Sequence, residues 1–236
     1  MRGIGKRGDQ LDTQPPMIRS IDDLVTFLKR FHRGWLDDPS LNPSLLIPRD
    51  LPDGLATIYR ELGALVEIED SCGRAPFAAQ DCLMPLSRLE RVDGMLVFSW
   101  ENQGNWSCRC QPGEPDPPVY SNAADAWNEE QRGFVVVCRS LSHFLMTLCL
   151  QEALYSSRNL VAVEGNPRPE QATTARLEPL WLGGWYVNAE PSHNFYVTSD
   201  QEVLVMNYAG VWIGSPSRPV QPLVASGLES MVLKGS

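Results

Sequence analysis

Apolar residues recur at helical spacing in SIDDLVTFLKRFHRGW, where Ile21, Leu24, Val25, Leu28, Phe31 and Trp35 share one face. Ser20 followed by Asp23 matches the S-x-x-D helix-start signal, so a helix is predicted there. A Pro-rich connection, DDPSLNPSLLIP, leads to RDLPDGLATIYRELGAL. Pro52 near its start, the apolar face Leu55, Ile58, Tyr59 and Leu62, and a stop at Gly63 predict a second helix. The stretch PFAAQDCLMPLSRLERVDGM reads as a short strand, a Pro break and a helical turn closed by Asp93-Gly94.

The period then changes to two. Leu96, Phe98 and Trp100 alternate with Met95, Val97 and Ser99, and a strand apolar on both sides is predicted to be central in its sheet. Trp106, Cys108 and Cys110 alternate with Asn105, Ser107 and Arg109, the pattern of a half-buried strand. Between them lies Glu101-Asn102-Gln103-Gly104, which makes the pair a hairpin with Gly104 at positive φ. The Pro-rich QPGEPDPP leads to an expected edge strand at Val119-Tyr120, and GFVVVC reads as a buried strand. SLSHFLMTLCLQEALY is a third helix with Leu141, Phe144, Leu145, Leu148 and Leu154 inward. Residues 164–175 have linker composition, and the strand candidates GGWYVNA, HNFYVTS, EVLVMNY and VWIG beyond them form a meander. Asn207 to Trp212 echoes Asn102 to Trp106 as shared turn chemistry rather than as a repeat. The order of elements is α+β and not a βαβ series.

At 236 residues the chain fits one large domain, or a medium domain with an appendage, and can bury a real core. The expected division is a disordered leader over 1–17, a domain over 18–163, a linker over 164–175 and a β-rich extension over 176–236. No apolar run approaches the roughly 18 residues of a membrane span. The basic start MRGIGKRGDQ has no apolar stretch behind it, so no signal peptide and a cytoplasmic location are expected.

The formal charge of −9 is uneven. Residues 50–130 hold 15 acids and 5 bases, against 14 and 15 elsewhere. Such a segment disfavours nucleic acid and favours basic partners, unless it is only a solvated surface.

Candidate chemistry is sparse. Cys72, Cys82, Cys108, Cys110, Cys138 and Cys149 lack the paired knuckles of a structural zinc site and the Cys-x-x-Cys of redox enzymes, so buried reduced thiols are expected, with no metal. His32, His143 and His193 are framed by no nucleophile motif, and no phosphate-binding Gly loop occurs. An enzyme using those thiols or histidines stays a minor alternative. The ENQG turn has a structural reading, a tight turn, and a functional one. In the second, Glu101, Asn102 and Gln103 join Glu114 and Asp116 as a polar rim for a basic protein surface, flanked by Trp100 and Trp106, of which Trp106 is expected in the core.

The succession IPRDLPDGLATIYRELGAL, PFAAQDCLMPLSRLE, DGMLVFSWENQGNWSC, DPPVYSN, Trp127 and SLSHFLMTLCLQEAL resembles the SUKH superfamily across about residues 20–155. That superfamily includes bacterial immunity proteins and a yeast regulator of cell-wall synthesis. The resemblance implies a curved, mostly antiparallel sheet packed by helices, with the C-terminal meander as an appendage, no cofactor and no catalysis. It also implies a protein partner: a cognate toxin, often a nuclease, of a polymorphic-toxin system. A regulatory or scaffold module binding an endogenous protein is the alternative. Oligomeric state is not set by the sequence.

Overall fold

The computed structural model describes residues 17–37, 45–68, 74–126 and 133–235. The leader expected over 1–17 thus lies outside the described residues except for Met17, and so do Cys72 and Trp127.

The first helix is α1 (Ile21–Phe31), followed by the short α2 (Arg33–Leu36). The Ser20 hydroxyl accepts from Asp23 N, and the Asp23 carboxylate reaches back to Arg19 N, so the start signal works as expected. Next comes α3 (Asp53–Val66). It runs past the predicted stop because Gly63 has a buried packing role: a Cβ there would lie 2.3 Å from Leu45 Cδ1.

The first sheet holds β1 (Asp81–Leu83), β2 (Glu90–Val92), β3 (Met95–Glu101), β4 (Ser107–Cys110), β5 (Val119–Ser121) and β6 (Val135–Cys138). Its order is β1-β3-β4-β5-β6, with β2 also paired to β3, all antiparallel. β3 is therefore central, as its two apolar faces predict. Two strand expectations are exchanged. β5 lies between β4 and β6, whereas β6, expected to be buried, is the edge with Val136 45% exposed.

The third helix is α4 (Leu141–Tyr155). It is apolar on nearly every side because it stands between the two sheets, against β1, β6, β8, β10 and β11, and also against α1 and α3. The strand after it is β7 (Asn159–Val163), then the one-turn helix α5 (Pro169–Ala172). The remaining strands are β8 (Leu177–Trp185), β9 (Pro191–Thr198), β10 (Leu204–Asn207), β11 (Val211–Ser215) and β12 (Ser230–Lys234). The second sheet is antiparallel in the order β12-β7-β11-β10-β9-β8.

The division expected at 164–175 does not separate two packed units. β7, on the near side of it, sits between β11 and β12 of the far side. One continuous core joins Leu24, Phe98 and Phe144 to Leu180, Phe195 and Met206. Nor is 164–175 bare linker, because Pro169 and Ala172 are buried and Thr173 bridges Val224. A smaller cluster, including Val161, Val205, Val211, Ile213 and Val220, covers the other face of the second sheet. The protein is α+β, with two antiparallel sheets and a few helices. No helix among the described residues is long and apolar enough to cross a membrane.

Candidate functional site

The β3–β4 hairpin sorts its residues by face. Leu96 pairs with Cys110 and Ser99 with Cys108, and all four are buried inward. Val97 alternates to the other face, opposite Arg109. An irregularity between Val97 and Ser99 brings Trp100 to that face too, opposite Ser107, and not to the face of Leu96 and Phe98 where alternation puts it. Tyr120 of β5 and Val136 of β6 continue that outer face. No helix covers it among the described residues. A cleft of about 400 Å³ opens there, lined by residues including Trp100, Asn102, Asn105, Arg109, Asn122 and Phe134. The Arg109 guanidinium lies 3.8 Å from the centre of the Phe134 ring and 3.9 Å from the Asp93 carboxylate. Cation–π stacking thus orders a long side chain that is only 20% exposed at the cleft.

The five residues expected to meet a partner do not form one surface. Glu101 is only 8% exposed, and its Oε2 accepts from Gln103 N (2.9 Å), Asn105 N (3.2 Å) and Asn105 Nδ2 (3.1 Å). It ties the turn from inside, and Gly104 completes the turn at φ 77°. Asn102 and Gln103 are exposed at the tip beside the cleft. Glu114 is exposed in the loop that joins β4 to β5, at the far end of β4 from the ENQG turn. Asp116, in the same loop, accepts from Ser140 Oγ (2.6 Å) and Ser142 N (2.7 Å), which anchors the start of α4. Glu101 and Asp116 are therefore structural residues, because each answers backbone amides that a turn or a helix start leaves unpaired. Trp106 is 7% exposed, in the core against Tyr186.

Most of the described acids of the acidic segment are also engaged within the fold. Asp50 pairs with Arg91, Glu61 with Lys29, Glu67 accepts from Leu86 N, and Asp125 from Gly133 N. Asp53, Glu90, Asp93 and Glu114 are exposed, and the neighbours of Glu114 bond to the other acids' backbone, Gly113 N to Asp50 O (2.8 Å) and Asp53 N to Pro115 O (3.0 Å).

Two features escape the sequence reading. The first is a buried polar chain. Glu152 of α4, fully buried, accepts from the backbone amides of Ala79 (2.6 Å), Gln80 (3.0 Å) and Asp81 (2.8 Å). Asp81 Oδ2 accepts from Gln151 Nε2 (2.9 Å) and Tyr186 OH (2.8 Å), and Gln151 Oε1 lies 3.2 Å from His193 Nε2. His193 lies within β9 with no exposure, stacked 3.8 Å from Tyr208. Burial, assisted by the charge of Asp81, raises Glu152 to about 8 against the pull of its three amides. Burial likewise raises Asp81 to about 6 and lowers His193 to about 4. The signal in the sequence was Gln151-Glu152 near the end of an otherwise apolar helix.

The second is a cavity of about 520 Å³ at the α1–α2 corner, lined by residues including His32, Trp35, Arg74, Ser157 and Arg158. It adjoins, along the chain, the segments 38–44 and 69–73 that lie outside the described residues. His32 is buried there with its Nε2 unpartnered, and burial lowers it to about 4.

Four of the thiols are poorly placed to act as nucleophiles. Cys108, Cys110, Cys138 and Cys149 are buried, and burial raises all four, Cys110 to about 12, so thiolate is scarce at neutral pH. His143 Nε2 accepts from Trp185 N at 3.2 Å. Among the described residues, no group of three or more His, Cys, Asp or Glu side chains is placed to hold a metal ion.

Comparison with known proteins gives no match to a family model, to a curated protein or to a solved structure.

Proposed function

We propose that this chain is a SUKH-type protein-binding domain that acts without catalysis as an immunity protein, covering a cognate toxin domain in the cytoplasm. The observation that carries the reading is the open outer face of the first sheet around the ENQG turn. Trp100, Tyr120, Phe134 and Val136 offer apolar area there, while Asn102, Gln103 and Arg109 supply hydrogen-bonding groups. A turn tied by Glu101 and an arginine stacked on a ring are already ordered, which lowers the entropy cost of association. The motif order described above adds the family reading.

Glu101 and Asp116 leave the contact set, which becomes Asn102, Gln103, Trp100, Arg109 and Phe134, with Glu114 as a separate charged position. A basic nuclease remains the proposed target class, with charge steering from the acids that stay exposed, Glu114 and Asp53 among them. That internal use of acids favours a second reading, a regulatory module that binds an endogenous protein of no special charge.

The test is capture from the native host with tagged protein, followed by affinity measurement on the captured partner. Arg109→Ala and Phe134→Ala should each weaken binding by roughly tenfold or more, the range of interface anchors. Unchanged affinity in both would sink the site. A captured toxin supports immunity, and a household protein supports the regulatory module.

A further inference from the structure

We propose that β12 is a self-association edge, through which two copies of this chain pair antiparallel about Val232. Among the described residues, β12 is the outermost strand of the second sheet and is bonded to β7 on one side only. Its Met231, Val232 and Leu233 are 54%, 55% and 42% exposed. They are the one run of three consecutive exposed large apolar residues among those described. When a strand lies on a core, alternate side chains are buried; along this run both faces are open. Free edges are ordinarily blunted by Lys, Pro or inward charges, and the centre of β12 has none of these. The opposite edge of the same sheet differs. β8 carries Pro179 and breaks register with β9 in three places, which unsuits it for strand addition.

The occupant is a second copy because the strand complements itself. Glu164 N donates to Glu229 O at 2.9 Å. Alternation along an antiparallel ladder then turns residues 229 and 231 toward β7 and leaves the N–H and C=O of Val232 pointing outward. Two such edges related by a two-fold axis at Val232 exchange those two bonds. The same register sets Val232 against Val232, Met231 against Leu233, and Ser230 against Lys234. Apolar side chains meet, and no like charges face each other. Register with β7 shifts between Val232 and Lys234, so the regular edge is short. The interface is correspondingly small, and association is weak, with a Kd of about 10–100 µM.

Sedimentation equilibrium of the full chain tests this, over concentrations from roughly tenfold below to tenfold above that Kd. Dimer should appear with rising concentration. Val232→Lys should raise the Kd by about tenfold or more by setting two ammonium groups across the axis. Val136→Lys, at a comparably exposed apolar residue of the first sheet, should leave the Kd unchanged. Val232→Cys should be captured as a covalent dimer by a short thiol cross-linker, since paired Cβ atoms lie about 4.5–5.5 Å apart. The parent protein and Val136→Cys should not. Circular dichroism confirms that each variant is folded. A monomer at every concentration, or a dimer that Val136→Lys disperses and Val232→Lys does not, overturns the proposal.

Discussion

The Tyr186 hydroxyl donates a 2.8 Å hydrogen bond to the buried carboxylate of Asp81, tying β1 of the first sheet to the end of β8 in the second. Gln151 of α4 donates to the same oxygen. Tyr186→Phe leaves a buried acceptor short of a donor, so it should cost about 1–3 kcal/mol in urea unfolding. A double-mutant cycle with Asp81→Asn should show coupling, and two additive losses would mean that the bond contributes nothing.

The buried carboxyls set a pH dependence whose sign can be worked out. Glu152 at about 8 and Asp81 at about 6 keep protons that the unfolded chain releases near pH 4. Their stabilising effect is full below about pH 4 and is lost as pH rises through 6 and then 8. His32 and His193, lowered to about 4, act oppositely: their contribution is present above about pH 6.5 and is lost as pH falls toward 4. Above pH 6.5, therefore, the carboxyls dominate, and stability should fall toward pH 8 by up to about 1.4 kcal/mol per pH unit. Glu152→Gln should flatten most of that limb while lowering stability throughout. Denaturation midpoints across the window provide the check, and a parent limb that rises with pH would contradict the assignment.

Gly214 of β11 lets the second sheet approach the end of α4. A Cβ there would meet Ser157 Oγ at 2.8 Å, Leu154 Cδ1 at 2.9 Å and the Leu154 carbonyl at 3.0 Å. The last of these is backbone and cannot swing aside. Gly214→Ala should cost about 1–3 kcal/mol from overpacking. In a chain of this length each kcal/mol lowers Tm by about 2–4 °C, which calorimetry would read. Gly94→Ala, with no atom within 4 Å, tests a different cost, the strain of φ 78° alone.

Glu101, in the turn, and Glu114, at the far end of β4, should behave differently although both are acids of the same segment. Glu101→Ala removes the acceptor of three hydrogen bonds in the turn, so amide exchange at Gln103 and Asn105 should quicken and partner binding should weaken at every salt concentration. Glu114→Lys should leave exchange at the turn untouched and change only the salt dependence of association. Equal exchange rates in Glu101→Ala and the parent would show that the turn holds without its carboxylate.

Periodicity made α1 and α3 legible, since each apolar stripe faces one core, and it placed β4 by its alternation and β3 by its two apolar faces. It failed where tertiary pairing decides. Val119-Tyr120 reads as an edge after its prolines, yet the chain folds back and puts β6 outside it. Residues 159–163 carried no hairpin signal because β7 bonds to strands distant in sequence. The candidate site was half legible. Asn and Gly marked the tip correctly, but nothing local distinguishes a carboxylate that faces solvent, such as Glu114, from one that answers amides, such as Glu101. Charge counts along the chain cannot see which acids the fold consumes.

The place of β7 between β11 and β12 also bears on the route by which the chain folds. Leaving the ribosome, residues 159–163 have neither neighbour, because both strands that flank them are made later. Residues 17–155 can begin to assemble around α4 at once, but that helix keeps one apolar side bare until the later strands arrive. Closing the second sheet is thus a long-range step, slow by the usual dependence of rate on sequence separation. During that interval the newborn chain presents a naked strand and a greasy helix, the state in which a chaperone would find it.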